Sequence, residues 1–211
     1  MIQYPKINTV WKRTREGELI EGQFSTPEFE YLANNEWYWT EKIDGTNIRV
    51  GWDALNKEII FAGRTDRAQI PSFLLEKLEQ IFTVDKLENL FPDTPLILFG
   101  EGYGARIQKV GKHYIPDGVD FILFDVRIGN WWLRRQDVED IAKRLGIKVV
   151  PIVGEGTLLE GCELTRKGFK SLIGDCIAEG LVMKPKVQLL SRDFKPIIAK
   201  IKHKDFTKGG K

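Results

Sequence analysis

The sequence has few of the residues that hold small metal-stabilised or disulfide-bonded proteins together. Among 211 residues it contains 2 cysteines and 2 histidines, and neither cysteine belongs to a Cys-x-x-Cys pair. A structural zinc site is therefore not expected, and two isolated thiols suit a reducing cytosol. A chain of this length can bury a sizeable core without such cross-links.

Long uninterrupted apolar runs are missing as well. No stretch approaches the roughly 20 residues that a helix needs to cross a bilayer, and the N-terminal MIQYPKINTVWKR lacks the apolar centre of a signal peptide. The sequence also contains no internal repeat, no low-complexity stretch and no obvious linker. We therefore expect a cytoplasmic protein without a membrane partner, folded as a single domain over residues 1–211.

An excess of charge of one sign is the third missing feature. The sequence has 32 basic and 30 acidic residues, and this balance alone does not indicate nucleic-acid binding. The charges are unevenly placed, however, since residues 195–211 contain six lysines and a single acid, Asp205. A basic tail of this kind is typical of an interaction segment for nucleic acids.

Short segments rich in β-branched and aromatic residues alternate with helical patterns, which predicts a mixed fold. The predicted strands are Trp37–Glu41, Asn47–Trp52, Glu58–Ala62, Leu96–Glu101, Phe121–Val126, Leu181–Lys184 and Ile197–Lys202. The predicted helices are Pro71–Phe82, Arg135–Leu145 and Leu164–Ile173. Clusters of strands with helices between them favour an α+β protein with mainly antiparallel sheets and flanking helices.

The first segment that carries chemistry follows the predicted strand Trp37–Glu41. Residues 41–47 read Glu-Lys-Ile-Asp-Gly-Thr-Asn, which places a lysine and an acid in a tight turn beside a glycine. The missing side chain of the glycine lets a phosphate come close. An ordinary hairpin with exposed charges is the alternative for this segment alone.

Two further segments place acids beside apolar strands. Glu101 stands between glycines at the end of Leu96–Glu101, and Asp125 lies inside the apolar run Phe121–Val126. An isolated buried carboxylate is costly, so Asp125 needs a partner such as a lysine or a hydroxyl group. A satisfied structural aspartate at a strand end is the alternative.

The last two segments bring lysines to strand positions. Residues 179–185 read Glu-Gly-Leu-Val-Met-Lys-Pro, and residues 198–202 read Ile-Ala-Lys-Ile-Lys. Alternate residues of a strand share a face, so Lys200 and Lys202 project together and repel each other unless an anion lies between them. A polyphosphate meets that requirement, and an edge strand protected by solvated lysines is the alternative.

In this order, the segments resemble the motif series of the covalent nucleotidyltransferases, the superfamily of DNA ligases, RNA ligases and mRNA capping enzymes. The series runs Lys-x-Asp-Gly, Phe-Gly-Glu, Phe-Asp-Val, Glu-Gly-Leu-Val-Met-Lys and Lys-x-Lys, and it covers the chain from about Trp39 to Lys202. The chain is most similar to RNA ligases related to the second ligase of phage T4 and to the trypanosome editing ligases, because Asn47 stands where DNA ligases and capping enzymes usually have arginine. The resemblance implies a nucleotidyltransferase domain with the nucleotide pocket between its sheets.

The resemblance also implies a reaction in which Lys42 attacks the α-phosphorus of ATP and forms a lysyl-AMP intermediate. AMP would then pass to the 5′-phosphate of an RNA, and a 3′-hydroxyl would displace it to form the phosphodiester. A lysine is mostly protonated at neutral pH and has to lose its proton before it attacks. Lys200 and Lys202 are expected to contact the α-phosphate and, together with Lys184, to supply positive charge for this chemistry.

A set of nucleotide-binding residues follows from the same resemblance. Its members are Glu41, Asp44, Gly45, Asn47, Arg64, Glu101, Phe124, Asp125 and Lys184. Glu101 is expected to bind the ribose hydroxyls, Phe124 to stack on adenine and Asp125 to order the pocket. Arg64 and Asn47 are expected to contact a phosphate of the nucleotide or of the substrate.

Further expectations concern the metal, the partners and the length of the chain. Glu179 is expected near a Mg²⁺ or Mn²⁺ ion, where it would hold water molecules of the ion. Only nine residues follow Lys202, so no OB-fold or other C-terminal domain is expected, whereas related ligases usually continue into a second domain. Asp44 stands where several relatives have histidine. We expect a monomer that acts on RNA ends, of the kind that phages encode.

Several alternatives stay open at this point. Arg64 could form a surface ion pair with Asp66, and Phe124 could be a simple core residue. A DNA ligase of the same superfamily, with DNA as its partner, is the main functional alternative. A GTP-using capping enzyme, a protein-modifying AMP transferase and a non-catalytic nucleotide- or RNA-binding module are the others.

Overall fold

The computed structural model of this chain describes residues 1–207. The chain divides into two compact units. The first unit comprises Met1–Tyr4 and Asp44–Val150, and the second comprises Pro5–Ile43 and the residues from Pro151 onward. Lys208 and Lys211 of the basic tail lie outside the described residues, and the single domain over residues 1–211 stays a prediction.

Both units contain strands and helices. The strands are β1 (Asn8–Thr9), β2 (Trp11–Arg13), β3 (Leu19–Phe24), β4 (Trp37–Glu41), β5 (Thr46–Asp53), β6 (Glu58–Ala62), β7 (Leu96–Gly104), β8 (Val119–Ile128), β9 (Trp131–Trp132), β10 (Lys148–Val149), β11 (Ile152–Gly156), β12 (Gly180–Pro185) and β13 (Ala199–Lys202). The helices are α1 (Pro27–Tyr31), α2 (Ser72–Ile81), α3 (Val84–Leu90), α4 (Gly111–Tyr114), α5 (Arg135–Leu145), α6 (Leu158–Lys167) and α7 (Lys204–Thr207). Over residues 1–207, none of these helices has the length and apolar character that crossing a membrane requires.

The first unit is built on a six-stranded sheet. Its strands lie in the order β10-β8-β7-β5-β6, and β9 pairs with the end of β8. All of these pairs are antiparallel except β10 with β8. Ile48, Val50 and Trp52 alternate along β5 and pack with Leu74 and Leu78 of α2 in one core. Asn47 and Arg49, which alternate with these residues, therefore project from the opposite face.

A β-bulge interrupts the pairing of β7 with β8. Phe99 faces Asp125, whereas the next pair of the ladder involves Leu123, so Phe124 is the extra residue. The alternation along β8 shifts at this point, because Leu123 and Val126 both lie in the core. The bulge thereby turns Phe124 and Asp125 away from that core.

The second unit contains a five-stranded sheet in the order β1-β13-β12-β4-β11 and a two-stranded ribbon of β2 and β3. β12 pairs antiparallel with both β4 and β13, and β1 runs parallel to β13. One face of the larger sheet packs into a core that includes Trp37, Trp39, Leu181, Met183 and Ile201. Residues that alternate with these in the central strands lie on the opposite face.

The predicted fold class is confirmed, since the structure is a mixed α+β protein with mainly antiparallel sheets and flanking helices. One predicted helix is wrong in its position. Instead of Leu164–Ile173, α6 occupies Leu158–Lys167. Thr157 and Glu160 form a capping box at its start, and Gly168 ends it with a positive φ of 75°, which glycine adopts without steric cost.

Candidate active site

Three strands of the second unit bring Glu179 and two of the predicted lysines to the same end of the sheet. Lys42 directly follows β4, and its N–H donates to the carbonyl of Gly180 at 2.9 Å. Gly180 pairs with Lys202 of β13, and the carbonyl of Glu179 accepts from the N–H of His203 at 2.9 Å. The backbone ladder therefore fixes these residues side by side, although they lie far apart in the sequence.

The carboxylate of Glu179 bridges two ammonium groups. Its Oε2 accepts from Nζ of Lys42 and its Oε1 accepts from Nζ of Lys202, each at 2.6 Å. The exposed fractions are 12% for the Glu179 side chain, 19% for Lys42 and 24% for Lys202. Burial alone would raise the pKa of Glu179, but the two lysines outweigh burial, and the pKa lies below its ordinary value. The carboxylate is thus ionised at neutral pH and held between two cations.

The four predicted lysines share one face of the second unit's larger sheet. Lys200 pairs with Val182 and Lys184 pairs with Tyr38, and directly paired residues project to the same side. The apolar core, with Trp39, lies on the other side. β13 runs between β1 and β12, which excludes the alternative of a solvated edge strand. The result is a part-buried cationic face that suits a phosphorylated ligand.

Glu41 precedes Lys42 in the sequence but lies on the other face of β4, the face that carries Trp39 into the core. Its buried carboxylate accepts from Oγ of Ser171 at 2.5 Å and from the N–H of Leu172 at 2.8 Å. Burial raises the pKa of Glu41, although both hydrogen bonds oppose the shift. This geometry favours a role in holding the segment around Ser171 over the predicted contact with the nucleotide.

In the first unit, the turn at Asp44 and Gly45 is held close to β7. A Cβ atom at Gly45 would lie 2.5 Å from the carbonyl oxygen of Gly102 and 2.6 Å from Cγ of Glu101. The carbonyl of Gly45 accepts from Nε2 of Gln108 at 3.1 Å. This packing explains the glycine, whereas the sequence interpretation assigned its missing side chain to the approach of a phosphate.

Asn47 and Glu101 face each other on the adjacent strands β5 and β7, and both are part-buried. Oδ1 of Asn47 is buried and has no hydrogen-bond partner among residues 1–207. A buried acceptor without a partner is costly, so this atom fits a donor group on a bound molecule. The pairing places two of the predicted nucleotide-binding residues side by side.

Asp125 has the hydroxyl partner that its burial requires. It is 2% exposed, and its Oδ2 accepts from Oη of Tyr4 at 2.6 Å, which confirms the expectation of a lysine or hydroxyl partner. The ring of Tyr4 also packs edge-on against Phe124, with centroids 4.9 Å apart. Phe124 is part-buried rather than enclosed in the core. Tyr4, which the sequence did not single out, therefore contacts both Asp125 and Phe124.

Arg64 is exposed. The alternative considered for it was an ion pair with Asp66, but Asp66 pairs with another arginine. Oδ1 of Asp66 accepts from Nη2 of Arg49 at 2.8 Å. Arg49 is fully buried, and its Nη1 donates to the carbonyl groups of Met1 and Ile2 at 3.0 Å. The ion pair proposed for Arg64 is therefore made by Arg49, which ties the N-terminal segment to the first unit.

The donor groups for a metal ion are sparse. Among residues 1–207, no group of three or more histidine, cysteine, aspartate or glutamate side chains is arranged to hold an ion. Both carboxylate oxygens of Glu179 are engaged by lysines. These residues do not form a protein cage for Mg²⁺ or Mn²⁺, and a metal contact of Glu179 stays a prediction that requires bridging water.

The fold and the lysine–carboxylate arrangement define the class of the protein. A partly buried lysine held beside an ionised carboxylate, on a face with further lysines, suits the covalent transfer of a nucleotide to an amine. A sequence profile of the RNA ligase family matches residues 35–202, which is most of the chain. The chain belongs to the RNA ligase family, and the resemblance inferred from its motifs is confirmed.

Solved structures of an RNA ligase from Naegleria gruberi share the fold. A glutamate-to-alanine mutant with ATP and Mn aligns with 95% of this chain at 22% identity and a TM-score of 0.69. An arginine-to-alanine mutant with ATP and Mn aligns with 97% at 22% identity and a TM-score of 0.70, and the ligase with PPi aligns with 96% at 22% identity and a TM-score of 0.66. The chain spans 56%, 59% and 62% of these three chains, respectively. A comparison with curated proteins found no match.

Proposed function

We propose that the protein is an ATP-dependent RNA ligase that acts through a lysyl-AMP intermediate. The observation that carries the proposal is the arrangement of Lys42, Glu179 and Lys202. Membership of the RNA ligase family and the likeness to a ligase solved with ATP and Mn support it. In the first step a bond forms between Nζ of Lys42 and the α-phosphorus, and the bond from that phosphorus to pyrophosphate breaks. AMP then passes to the 5′-phosphate of an RNA, and a 3′-hydroxyl displaces it.

Glu179 holds the nucleophile in place before the reaction. Its two short hydrogen bonds fix Nζ of Lys42 and of Lys202 near each other, which removes orientational freedom ahead of attack. Lys42 has to lose its proton to become nucleophilic. Lys202, with Lys200 and Lys184 on the same face, offsets the negative charge that develops on the α-phosphate oxygens.

Within the first unit, we assign the ribose hydroxyls to Glu101 and the adenine to Phe124, with Asp125 ordering the aromatic group. The unpartnered Oδ1 of Asn47 supports a ligand here, because it can accept from a hydroxyl or amino group. Arg64 is assigned to a phosphate of the nucleotide or of the substrate, in keeping with its exposure.

The remaining parts of the proposal concern the metal, the substrate and the cell. A Mg²⁺ or Mn²⁺ ion would arrive with the nucleotide phosphates, and Glu179 would contact its water molecules. RNA is the proposed polynucleotide, with DNA as the alternative. A cytoplasmic monomer is part of the same proposal, supported by Cys162 and Cys176, which form no disulfide within residues 1–207.

The experiment that tests the proposal is labelling with α-labelled ATP or GTP in the presence of Mg²⁺ or Mn²⁺. Wild type, Lys42→Ala and the control Lys57→Ala are compared by denaturing gel and mass spectrometry. Lys57 is an exposed lysine that pairs with Glu88 on the surface. We expect label from ATP at Lys42 in wild type and control, none on Lys42→Ala, and its release by pyrophosphate.

Other outcomes select among the alternatives. Label from GTP alone would point to a capping enzyme, and no label with either nucleotide would leave a binding module in the lead. Nicked and single-stranded RNA and DNA are then offered to the labelled protein. Sealing of DNA but not of RNA would replace the RNA ligase by a DNA ligase.

A further inference from the structure

The segment that follows β7, Ala105–Tyr114, carries a cluster of positive charge and is called here the basic segment. Arg106, Lys109 and Lys112 are exposed, and so is His113. Over residues 1–207, none of these side chains forms an ion pair with an acid. Other basic residues of the same unit do pair with acids, among them Lys57, Arg135 and Lys148. The basic segment thus presents exposed cations that form no ion pair within residues 1–207.

The basic segment is fixed to the turn that follows Lys42 in the sequence. Nε2 of Gln108 donates to the carbonyl of Gly45 at 3.1 Å. The N–H of Asp44 donates to Oη of Tyr114 at 3.3 Å. The turn therefore has a hydrogen bond to the middle of the segment and another to its end.

Two further contacts hold the basic segment against the rest of the first unit. A Cβ atom at Gly111 would lie 1.9 Å from the carbonyl oxygen of Gly104, so the segment folds back onto β7 at a distance that only glycine permits. Arg106 adopts the left-handed region with φ of 67°, a strained conformation for arginine, and its guanidinium lies 4.6 Å from the centroid of the Phe73 ring. These contacts set the backbone positions from which the exposed cations extend.

The surroundings of Arg106 indicate where an anion would bind. Arg106 lines a cavity of about 490 Å³ together with Lys77 and three acids, Glu76, Asp117 and Asp120, so the acids outnumber the cations. These acids disfavour an anion inside the cavity. Residues 109 and 112 do not line it, so the charges of these two exposed lysines remain for a partner outside the cavity.

We propose that the basic segment binds the phosphate backbone of the polynucleotide substrate. Several separate, exposed cations suit a chain of phosphates, whereas a single nucleotide phosphate needs donors that converge on one point. The hydrogen bonds to Asp44 and Gly45 tie this contact to the turn that lies two residues beyond the nucleophile. The inference rests on the proposed function for the identity of the strand as RNA.

The test measures RNA binding directly, without ATP, so that it does not depend on catalysis. The probe is a fluorescent nicked RNA duplex with a 5′-phosphate, titrated over a range of salt concentrations. The variant Arg106→Gln/Lys109→Gln/Lys112→Gln is compared with a matched control, Arg134→Gln/Lys143→Gln/Lys167→Gln, which removes the same number of exposed charges elsewhere. We expect the first to lose about tenfold or more in affinity at low salt and to lower the salt slope by about 2 to 3, and the control to change affinity by less than about twofold.

The triple variant could be destabilised, because it removes the contact of Arg106 with Phe73. If it unfolds at a lower urea concentration than wild type, RNA binding is compared instead with the double variant Lys109→Gln/Lys112→Gln, which keeps that contact. Equal weakening by the basic-segment variants and the control, or no RNA binding by wild type, overturns the inference. If Lys42 takes up no label while the basic-segment variants still lose RNA binding, the proposed function fails and the inference stands. If RNA is sealed and the basic-segment variants bind it as tightly as wild type, the inference fails alone.

Discussion

Glu41 and Glu179 occupy the same sheet of the second unit and are both largely withdrawn from water, but they interact with different partners. Glu41 accepts from neutral donors, the Ser171 hydroxyl and the Leu172 amide, and burial raises its pKa. Glu179 accepts from two ammonium groups, which hold its pKa below the ordinary value in spite of burial. The charge of the donor, rather than the degree of burial, decides whether such a carboxylate stays ionised.

The two glutamates also lie on different faces of the sheet, Glu41 on the face that packs into the core and Glu179 beside the lysines of the opposite face. Glu41 and Lys42 are adjacent in the sequence, but successive residues of an extended chain project to opposite faces. One therefore enters the core side of the sheet and the other joins the lysine face. Glu41 therefore does not share the surroundings of Lys42, the proposed nucleophile, although the two residues are adjacent in the sequence.

The largest effect is expected for Glu179→Gln, because the amide cannot compensate two ammonium groups. We expect a loss of about 3 kcal/mol in the free energy of unfolding, as when one partner of a buried ion pair is removed. Labelling by ATP should also fall at least about 100-fold, since a preorganised charge beside the nucleophile is lost. Urea unfolding and the rate of labelling measure the two effects.

The control for that change is Glu155→Gln, which removes an exposed partner of Lys186. A surface pair of this kind contributes below about 1 kcal/mol. If Glu179→Gln and Glu155→Gln were equally stable, the bridging carboxylate would have no structural importance.

A smaller effect is expected for Glu41→Ala, which leaves the buried hydroxyl of Ser171 and the amide of Leu172 without their acceptor. The expected loss in the free energy of unfolding is about 2 kcal/mol. The KM for ATP, measured on folded protein, distinguishes the two roles considered for Glu41. A KM that rises tenfold in a variant of unchanged fold would restore the predicted nucleotide contact.

The pH dependence of stability should have opposite signs for the two glutamates. The folded pKa of Glu179 is lowered, so its interactions stabilise the protein above the ordinary value of 4.5, and this contribution is lost as the pH falls through the folded value. The folded pKa of Glu41 is raised, so stability is lost as the pH rises from 4.5 through the folded value.

These signs are measured by urea unfolding from about pH 8 down to about pH 3, because the contribution of Glu179 is lost only below the ordinary value of 4.5. On acidification, the stability advantage of wild type over Glu179→Gln should shrink, whereas the stability of wild type relative to Glu41→Gln should rise. Parallel slopes for the two variants would show that the donors do not control the ionisation of these carboxylates.

The smallest effect is expected for Tyr4→Phe in the first unit, where another buried carboxylate, Asp125, accepts from a neutral hydroxyl. The substitution keeps the ring beside Phe124 and removes one hydrogen bond, at about 1 kcal/mol in the free energy of unfolding. Tyr31→Phe, at a side chain that is 87% exposed, is the control and should change nothing. A Tyr4→Phe protein as stable as this control would assign the ordering of Asp125 to other contacts.

Much of the fold follows from local patterns in the sequence. β4 and α5 have the predicted bounds, because alternating and helical apolar patterns are strong in both. The misplaced helix shows the limit of such patterns, since the residues from Gly168 onward look apolar enough to continue α6. The capping box at Thr157 and Glu160 was present in the sequence and could have corrected the boundary.

The direction of a side chain in the site could be predicted from the alternation along its strand. The contacts between residues far apart in the sequence could not. Alternation along Trp37–Glu41 would have placed the Glu41 side chain with the core tryptophans. No local pattern reveals that Arg49 is buried, because its acceptors come from Met1, Ile2 and Asp66. Such contacts exist only after the sheet has formed.

The division of the chain between the units also orders events during synthesis on the ribosome. Asp44–Val150 forms most of the first unit as one continuous stretch, whereas the second unit is split around it. β4 therefore leaves the ribosome long before its partners β12 and β13, and at about 5 to 20 residues per second the first unit has seconds in which to fold alone. Lys42 meets Glu179 and Lys202 only once residue 202 has been made, so the bridging of the two lysines by the carboxylate is completed late in synthesis.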